Sequence, residues 1–367
     1  MDRNNLSNER KMIILTTRLS MDSNVVEEIK ELAMQKDFNW FEFFKLAIYH
    51  KSAVLCWKNI NQYIKHSVIP AYLNDMLRYS YICTCEKNKL YQDEIDKVVN
   101  YLTKNSIICI PVKGAYLIPK LYEDLGIRYR SDADFLVRYS DVDKLKDALN
   151  CYGYVQGEVD SSTHMIRPIT RSEQIIWKMM SNIYPFVKIS KSDVFTNYQL
   201  DFRYALDDTL SKEPINEIID RYINNGYVDP SHYLIHLCSH FYGEAKYSST
   251  LFDATDMNLI KLCDIREFVL KFTSSSDINK TIDFAKKYGL EKQLYFTMFF
   301  LNAIYDDGYE QETMEKLNIF DDSFLNTHGR TTLQNEVSFK KDFWDRIFSC
   351  NNKDEIMEDT ILYYNIK

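Results

Sequence analysis

From Val25 onward the chain places apolar side chains at helical spacing, and near Ile107 that period gives way to a shorter one. Over 25–65 the apolar positions include Phe41, Phe44, Leu46, Ala47, Val54, Leu55 and Trp57, which predicts two or three amphipathic helices. The pattern continues over 71–104 and ends in a helix over 90–102. The first twenty residues are polar apart from the apolar run 12–15, and read as a frayed tail. The run 107–112 is short, rich in β-branched residues and bounded by Asn105, Ser106, Lys113 and Gly114, as a buried strand would be. Gly114 turns the chain into a helical pattern over 115–125, which Pro119 either starts or bends, because an interior proline costs a helix about 3 kcal/mol. A second strand is predicted over 133–138, a helix over 141–150 opened by Asp141, and a third strand over 194–204. Beyond about residue 211 helical stripes return over 215–223, 232–242, 257–272, 279–304 and 340–349, with 273–277 as the clearest linker. The class this predicts is α+β. A small mixed-sheet core over 105–210 is flanked by a helical N-terminal unit, 1–104, and a helical C-terminal unit, 211–367.

Composition agrees with a helix-rich protein: 9 Gly and 7 Pro are few breakers for 367 residues, beside 27 Tyr and 21 Phe. A net charge of −8 argues against a surface built throughout to grip nucleic acid, although a local basic groove remains compatible with it. The 8 Cys are scattered without the density of a secreted disulfide scaffold and read as reduced thiols. No uncharged apolar stretch long enough to span a bilayer and no leader pattern is found, so a cytoplasmic protein without membrane attachment is expected.

The segment from Arg128 to Val137 carries the chemistry. In a strand, residues two apart share a face, so Asp132 and Asp134 would stand side by side while Phe135 and Val137 face the opposite layer. Two such carboxylates repel, a divalent cation removes that penalty, and oxygen ligands are what Mg²⁺ prefers. An isolated Asp-x-Asp is more often a solvated loop. Here a strand ending in Lys113 and Gly114 precedes it, and a glycine at a strand-to-helix turn lets backbone N–H groups approach phosphate. Lys113 would add a point charge, or is simply a solvated turn lysine.

These residues, Val112-Lys113-Gly114, Leu121-Tyr122, Gly126, Arg128 and Asp132-Ala133-Asp134, resemble the signature of a bacterial family of uncharacterised nucleotidyltransferases within the DNA polymerase beta superfamily. Asn39-Trp40, Leu46-Ala47 and His50 resemble its N-terminal helical segment, and the stretch from Leu200 to Tyr204 its later acidic strand. His232, His236, His240, Glu244-Ala245 and Cys263-Asp264-Ile265 resemble its helical C-terminal part, so the likeness spans about residues 30–270. It implies a turn at Gly114, with Lys113 and Arg128, that holds the triphosphate of a nucleotide such as ATP. It also implies magnesium, two ions, on Asp132, Asp134 and Asp201, with Asp201 orienting an ion or deprotonating the acceptor hydroxyl. Nucleotidyl transfer from a nucleoside triphosphate to a hydroxyl acceptor follows, the acidic balance favouring a small molecule or a peptide or protein over RNA. Lys113-Gly114 replaces the superfamily's usual Gly-Ser turn, and the interval from Gly114 to Asp132 is longer than in many members.

Other features compete. His232, His236 and His240 recur every four residues and, with Asp264, would make a metal site for a phosphohydrolase. The same histidines equally serve as cap or lining of a core built on Tyr233, Leu234, Leu237 and Phe241, the reading favoured here. A fold kept for nucleotide or partner binding without turnover is a further alternative. Glu244 and Lys246 are read as a solvated helix end in preference to part of an acceptor pocket, His164 as a loop residue, and Cys83 and Cys85 as helix residues without zinc partners.

Overall fold

A computed structural model describes residues 5–64, 68–160, 162–178, 180–329 and 336–356. In chain order the elements begin α1 (Asn8–Thr16), α2 (Ser23–Ala33), α3 (Trp40–Tyr49), α4 (Ala53–Tyr63), α5 (Ala71–Lys104), β1 (Cys109–Val112), α6 (Gly114–Leu117), β2 (Ala133–Val137), α7 (Val142–Cys151), β3 (Val155–Asp160), β4 (Met165–Pro168), α8 (Arg171–Trp177), β5 (Phe186–Ile189) and β6 (Asn197–Arg203). They continue α9 (Glu213–Asn225), α10 (Pro230–Lys246), α11 (Ser248–Phe252), α12 (Leu259–Phe272), α13 (Ser275–Tyr288), α14 (Glu291–Ile304), α15 (Tyr309–Leu317), β7 (Thr327–His328), β8 (Val337–Ser338) and α16 (Phe343–Ile347). The class is α+β, with a six-stranded mixed sheet and helical regions before and after it in the chain. The chain divides into two compact units, one of residues 80–233 and one of residues 1–79 with 234–367. Among the described residues no helix is long and apolar enough to cross a membrane.

In the sheet unit the strand order is β1-β2-β6-β5-β3-β4. β2 and β6 run parallel, and the remaining neighbours antiparallel. The period of two sorts each strand: Ala133, Phe135 and Val137 of β2 and Leu200 and Phe202 of β6 enter the core, with the Phe135 and Phe202 rings stacked 4.9 Å apart. Against them α5 sets Tyr91, Ile95, Val98 and Leu102, at four-, three- and four-residue steps, and α7 sets Leu145 and Leu149. Each such side chain contributes about 1.5–3 kcal/mol when fully buried. Truncating Phe135, which lies at the centre of this layer, would remove contacts on both strands at once.

The predicted helix over 115–125 is a single turn, α6, followed by a π-helical turn at Ile118–Tyr122. Pro119 has no N–H to bond back to Ala115, so the α ladder cannot run through it. The predicted strands at 107–112, 133–138 and 194–204 are β1, β2 and β6 in shortened form. Strands β4 and β5 and helix α8 were not anticipated. β4 reads Met-Ile-Arg-Pro on the sheet's edge, and α8 buries none of its residues, so neither carries a periodic signal.

In the helical unit the N-terminal expectation is corrected. Residues 12–15 lie in α1 and are fully or almost fully buried, and the side chain of Ser7 caps the helix by accepting from the Arg10 amide. Residues 1–4 lie outside the described residues. The expected linker at 273–277 is a helix start: Ser274 and Asp277 form a reciprocal capping box on α13. The single stripe over 279–304 is two helices, α13 and α14, separated at Gly289, which takes φ 69° as a C-terminal cap. The last predicted stripe shrinks to the five residues of α16.

Candidate active site

The face of β2 and β6 turned away from the core carries the acidic residues. Parallel register sets Asp134 directly beside Asp201, on strands that lie about 4.8 Å apart. Asp132 immediately precedes β2, and its charge raises the pKa of both Asp134 and Asp201. The three carboxylates expected to act together are therefore within reach of one another's field. Burial is the main cause of the rise at Asp134, pushed up to about 6, with Asp132 adding to it and Lys113 opposing it. Asp201 is held well above the usual carboxylate range by burial, then by Asp132 and Asp134. Its Oδ2 accepts from Gln199 Nε2 at 3.3 Å, while Oδ1 is buried with no hydrogen-bond partner among the described residues.

β1 pairs antiparallel with β2 so that Val112 faces Asp134, which delivers the next residue, Lys113, to the carboxylates. The Lys113 ammonium forms an ion pair with Asp134 Oδ1. Its backbone stands at φ 48°, ψ −129°, and its carbonyl accepts from the amides of Tyr116 at 3.1 Å and Leu117 at 2.6 Å and from the Tyr233 hydroxyl at 3.5 Å. Gly114 follows. A Cβ built on it would meet a single atom within 4 Å among the described residues, Ile118 Cδ1 at 3.8 Å, so the outer side of the turn is open.

Arg128 sits in the loop before β2, with Nη1 donating to the carbonyl of Tyr129 at 2.5 Å. Asn88 of α5 fixes that loop by donating to the carbonyls of Leu125 and Arg128, at 2.6 and 2.9 Å. Two further residues escaped the sequence reading. The Tyr91 hydroxyl lies 3.0 Å from the carbonyl of Ser131 and 3.2 Å from that of Asn197, and accepts from the Gln199 amide at 3.1 Å, so one phenol joins the approaches to both acidic strands. Arg130 is 3% exposed and donates from Nη2 to the Gly114 carbonyl at 2.9 Å. The signal for Arg130 was its place two residues ahead of Asp132. Tyr91 had none beyond its helical stripe.

The histidine helix has a different organisation. His232 Nδ1 lies 3.3 Å from Asp229 Oδ1 and 3.1 Å from Ser231 Oγ, and Nε2 lies 3.7 Å from Glu217 Oε1. In the helical unit His236 is buried, and His240 faces Glu244, which is also paired with Lys261 at 2.6 Å. Lys246, expected at a helix end, is buried, with Nζ on Tyr242, Thr327 and Glu336. Among the described residues no group of three His, Cys, Asp or Glu side chains is placed to hold a metal ion. Magnesium rarely needs such a group, since it is usually held by one or two carboxylates together with substrate phosphates.

Asp134 on β2, Asp132 just before that strand, Asp201 on the parallel neighbour and the Lys113-Gly114 turn thus lie near one another. The pattern described as "Uncharacterised nucleotidyltransferase" matches residues 36–306, more than half of the chain, and the protein belongs to that family. Nucleotidyl transfer is the general function this membership supports. No curated protein and no solved structure matches the chain.

Proposed function

We propose that the protein is a magnesium-dependent enzyme that moves a nucleoside monophosphate from a nucleoside triphosphate to a hydroxyl acceptor and releases pyrophosphate. The observation that carries this reading is the β2/β6 register, which sets Asp134 beside Asp201 with Asp132 at the head of the strand. The donor set suits a hard divalent cation: Asp134 and Asp201 stand side by side, Asp132 adds its charge, and one buried oxygen of Asp201 has no partner among the described residues. Magnesium held by Asp132, Asp134 and Asp201 would offset phosphate charge and stabilise the attacking and leaving oxygens of an in-line displacement.

The chain's own groups account for the rest. The open side of Gly114 leaves room for the triphosphate tail against the backbone, and Lys113 is long enough to exchange Asp134 for a phosphate oxygen. The acceptor oxygen bonds to the α-phosphorus as the bond from that phosphorus to the bridging oxygen of pyrophosphate breaks. Asp201 takes the hydroxyl proton at Oδ1. The net charge of −8 favours a small molecule or a peptide or protein over RNA as acceptor. Eight cysteines scattered without the density of a disulfide scaffold suit a reducing, cytoplasmic setting.

The test incubates the protein with each nucleoside triphosphate, labelled at the α-phosphate, and Mg²⁺, with pools of small hydroxylated molecules, peptides and RNA as acceptors. Label transfer with matching pyrophosphate release, lost in Asp134→Ala, is the expected result. Nucleotide binding without transfer to any pool would leave a binding module in its place.

A further inference from the structure

We propose that Arg130, together with the Gly114 turn, forms the phosphate-binding clamp of this site, its free donors reserved for the triphosphate. The inference rests on the nucleotidyltransferase reading above and adds a residue to which that reading gives no role.

A guanidinium carries five N–H donors in a planar fork and cannot shed its charge to escape burial. Arg130 is 3% exposed, yet only Nη2 has a hydrogen-bond partner, while Nε and Nη1 are buried without any among the described residues. The Tyr91 ring, with its centroid 5.6 Å from Cζ, supplies a π face and no acceptor for those donors. Buried donors without partners are uncommon in folded proteins and cost stability, so such a group calls for an explanation. Its one bond locates it: the acceptor is the carbonyl of Gly114, so the fork is anchored to the residue past which a triphosphate would enter. Beyond the neighbouring backbone, only Ile118 Cδ1 comes within 4 Å of a Cβ built on Gly114 among the described residues, so no other side chain crowds that side of the turn against an anion. Phosphate oxygens there would accept from Nε or Nη1, the charge-assisted bonds by which guanidinium groups hold phosphate. Arg128, which the sequence put forward for this contact, already donates from Nη1 to its neighbour's carbonyl.

The experiment uses the whole 367-residue chain, with folding checked by circular dichroism. Binding of ATP, inorganic tripolyphosphate and adenosine is measured with Mg²⁺, beside KM and kcat for transfer, in the wild type, Arg130→Met, Arg130→Lys and Asp134→Asn. Charge-assisted hydrogen bonds of the ordinary strength predict that Arg130→Met weakens ATP and tripolyphosphate by the same factor, roughly tenfold to hundredfold. KM should rise by that factor with kcat nearly unchanged, and adenosine binding should not move. Arg130→Lys should recover only part, since one ammonium lacks the fork; if Arg130→Met fails to fold, a loss of at least about fivefold in the lysine variant decides the matter. Wild-type tripolyphosphate affinity in a folded Arg130→Met, or a loss confined to kcat, overturns the proposal. If Asp134→Asn abolishes transfer in the same series, the wider reading survives that failure. A wild-type protein that neither binds tripolyphosphate nor transfers nucleotide overturns both.

Discussion

Arg130 and Arg266 are both buried arginines, one in the sheet unit and one in the helical unit, and they are treated differently. Arg266 grips Asp307 with Nε and Nη2, at 2.5 and 2.8 Å, and its Nη1 reaches Glu267 and the carbonyl of Ser20. Glu267 in turn accepts from the Leu19 amide and the Ser20 hydroxyl, each at 3.0 Å, so the pair ties α12 to the chain after α1 and to Asp307 beyond α14. Among the described residues Arg130 has one hydrogen bond, and Asp201, in the same unit, keeps one buried oxygen without a partner. A fully paired buried charge fixes structure. Groups left short of partners are the ones a bound ligand or ion could satisfy, and the sheet unit keeps two of them, a guanidinium and a carboxyl.

The contrast can be broken most directly at the carboxylates. Asp132→Ala and Asp134→Ala should each reduce nucleotide transfer at least about 10³-fold, which is roughly 4 kcal/mol of barrier, with the melting temperature unchanged or raised because one of three mutually repelling carboxylates is gone. A marked drop in melting temperature would instead make these residues structural. Next in size is Arg266→Met, which leaves Asp307 and Glu267 uncompensated and should cost about 3–5 kcal/mol in urea denaturation. Arg130→Met should cost clearly less, and equal losses would erase the difference between the two arginines.

Acid should separate the units in opposite directions. His50, fully buried with Nδ1 accepting from the Leu259 amide, has its pKa pushed down to about 3 by burial. It stays neutral in the fold while the unfolded chain takes up a proton below about 6.5, so its contribution is complete above that pH. Below it, stability falls by about 1.4 kcal/mol per pH unit toward pH 3. Asp134 behaves inversely: with its pKa at about 6 against an ordinary value near 3.8, its contribution is greatest below 3.8 and is lost as pH rises through 6. Hydrogen exchange followed between pH 7 and 4.5 should show peptides around α3 losing protection while those of β1 and β2 hold or gain it. Parallel loss in both would contradict the assignment. The smallest effect expected is at the α13 cap, where Ser274→Ala should cost about 1 kcal/mol; no change would return 273–277 to the status of a linker.

The parts legible in the sequence were those with a strong local period or a charge pattern. β1, β2 and β6 announced themselves through β-branched and aromatic residues, and the period of two put Asp134 on the face opposite Phe135, whereas Asp132 falls one residue before β2, outside the strand on which the two were expected side by side. That Asp201 lies beside Asp134 came from the family resemblance, since strand pairing is a long-range fact which no local pattern encodes. β4 and α8 were invisible because they bury almost nothing. The α13/α14 break was missed because apolar spacing runs on through Gly289. Residues 12–15 were misjudged since four apolar residues in a polar stretch give no period, yet tertiary packing buries all four. Arg130 was passed over in favour of Arg128 because only coordinates reveal which arginine lies under the turn.

The backbone of Lys113 adopts a positive φ that glycine takes without cost and a side-chain-bearing residue holds at an expense of about 1–3 kcal/mol, although the glycine stands one position later. Exchanging that lysine for glycine would relax the turn at the end of β1 but leave Asp134 without its ion pair, so the gain from the backbone and the loss of the ammonium oppose one another in a single residue.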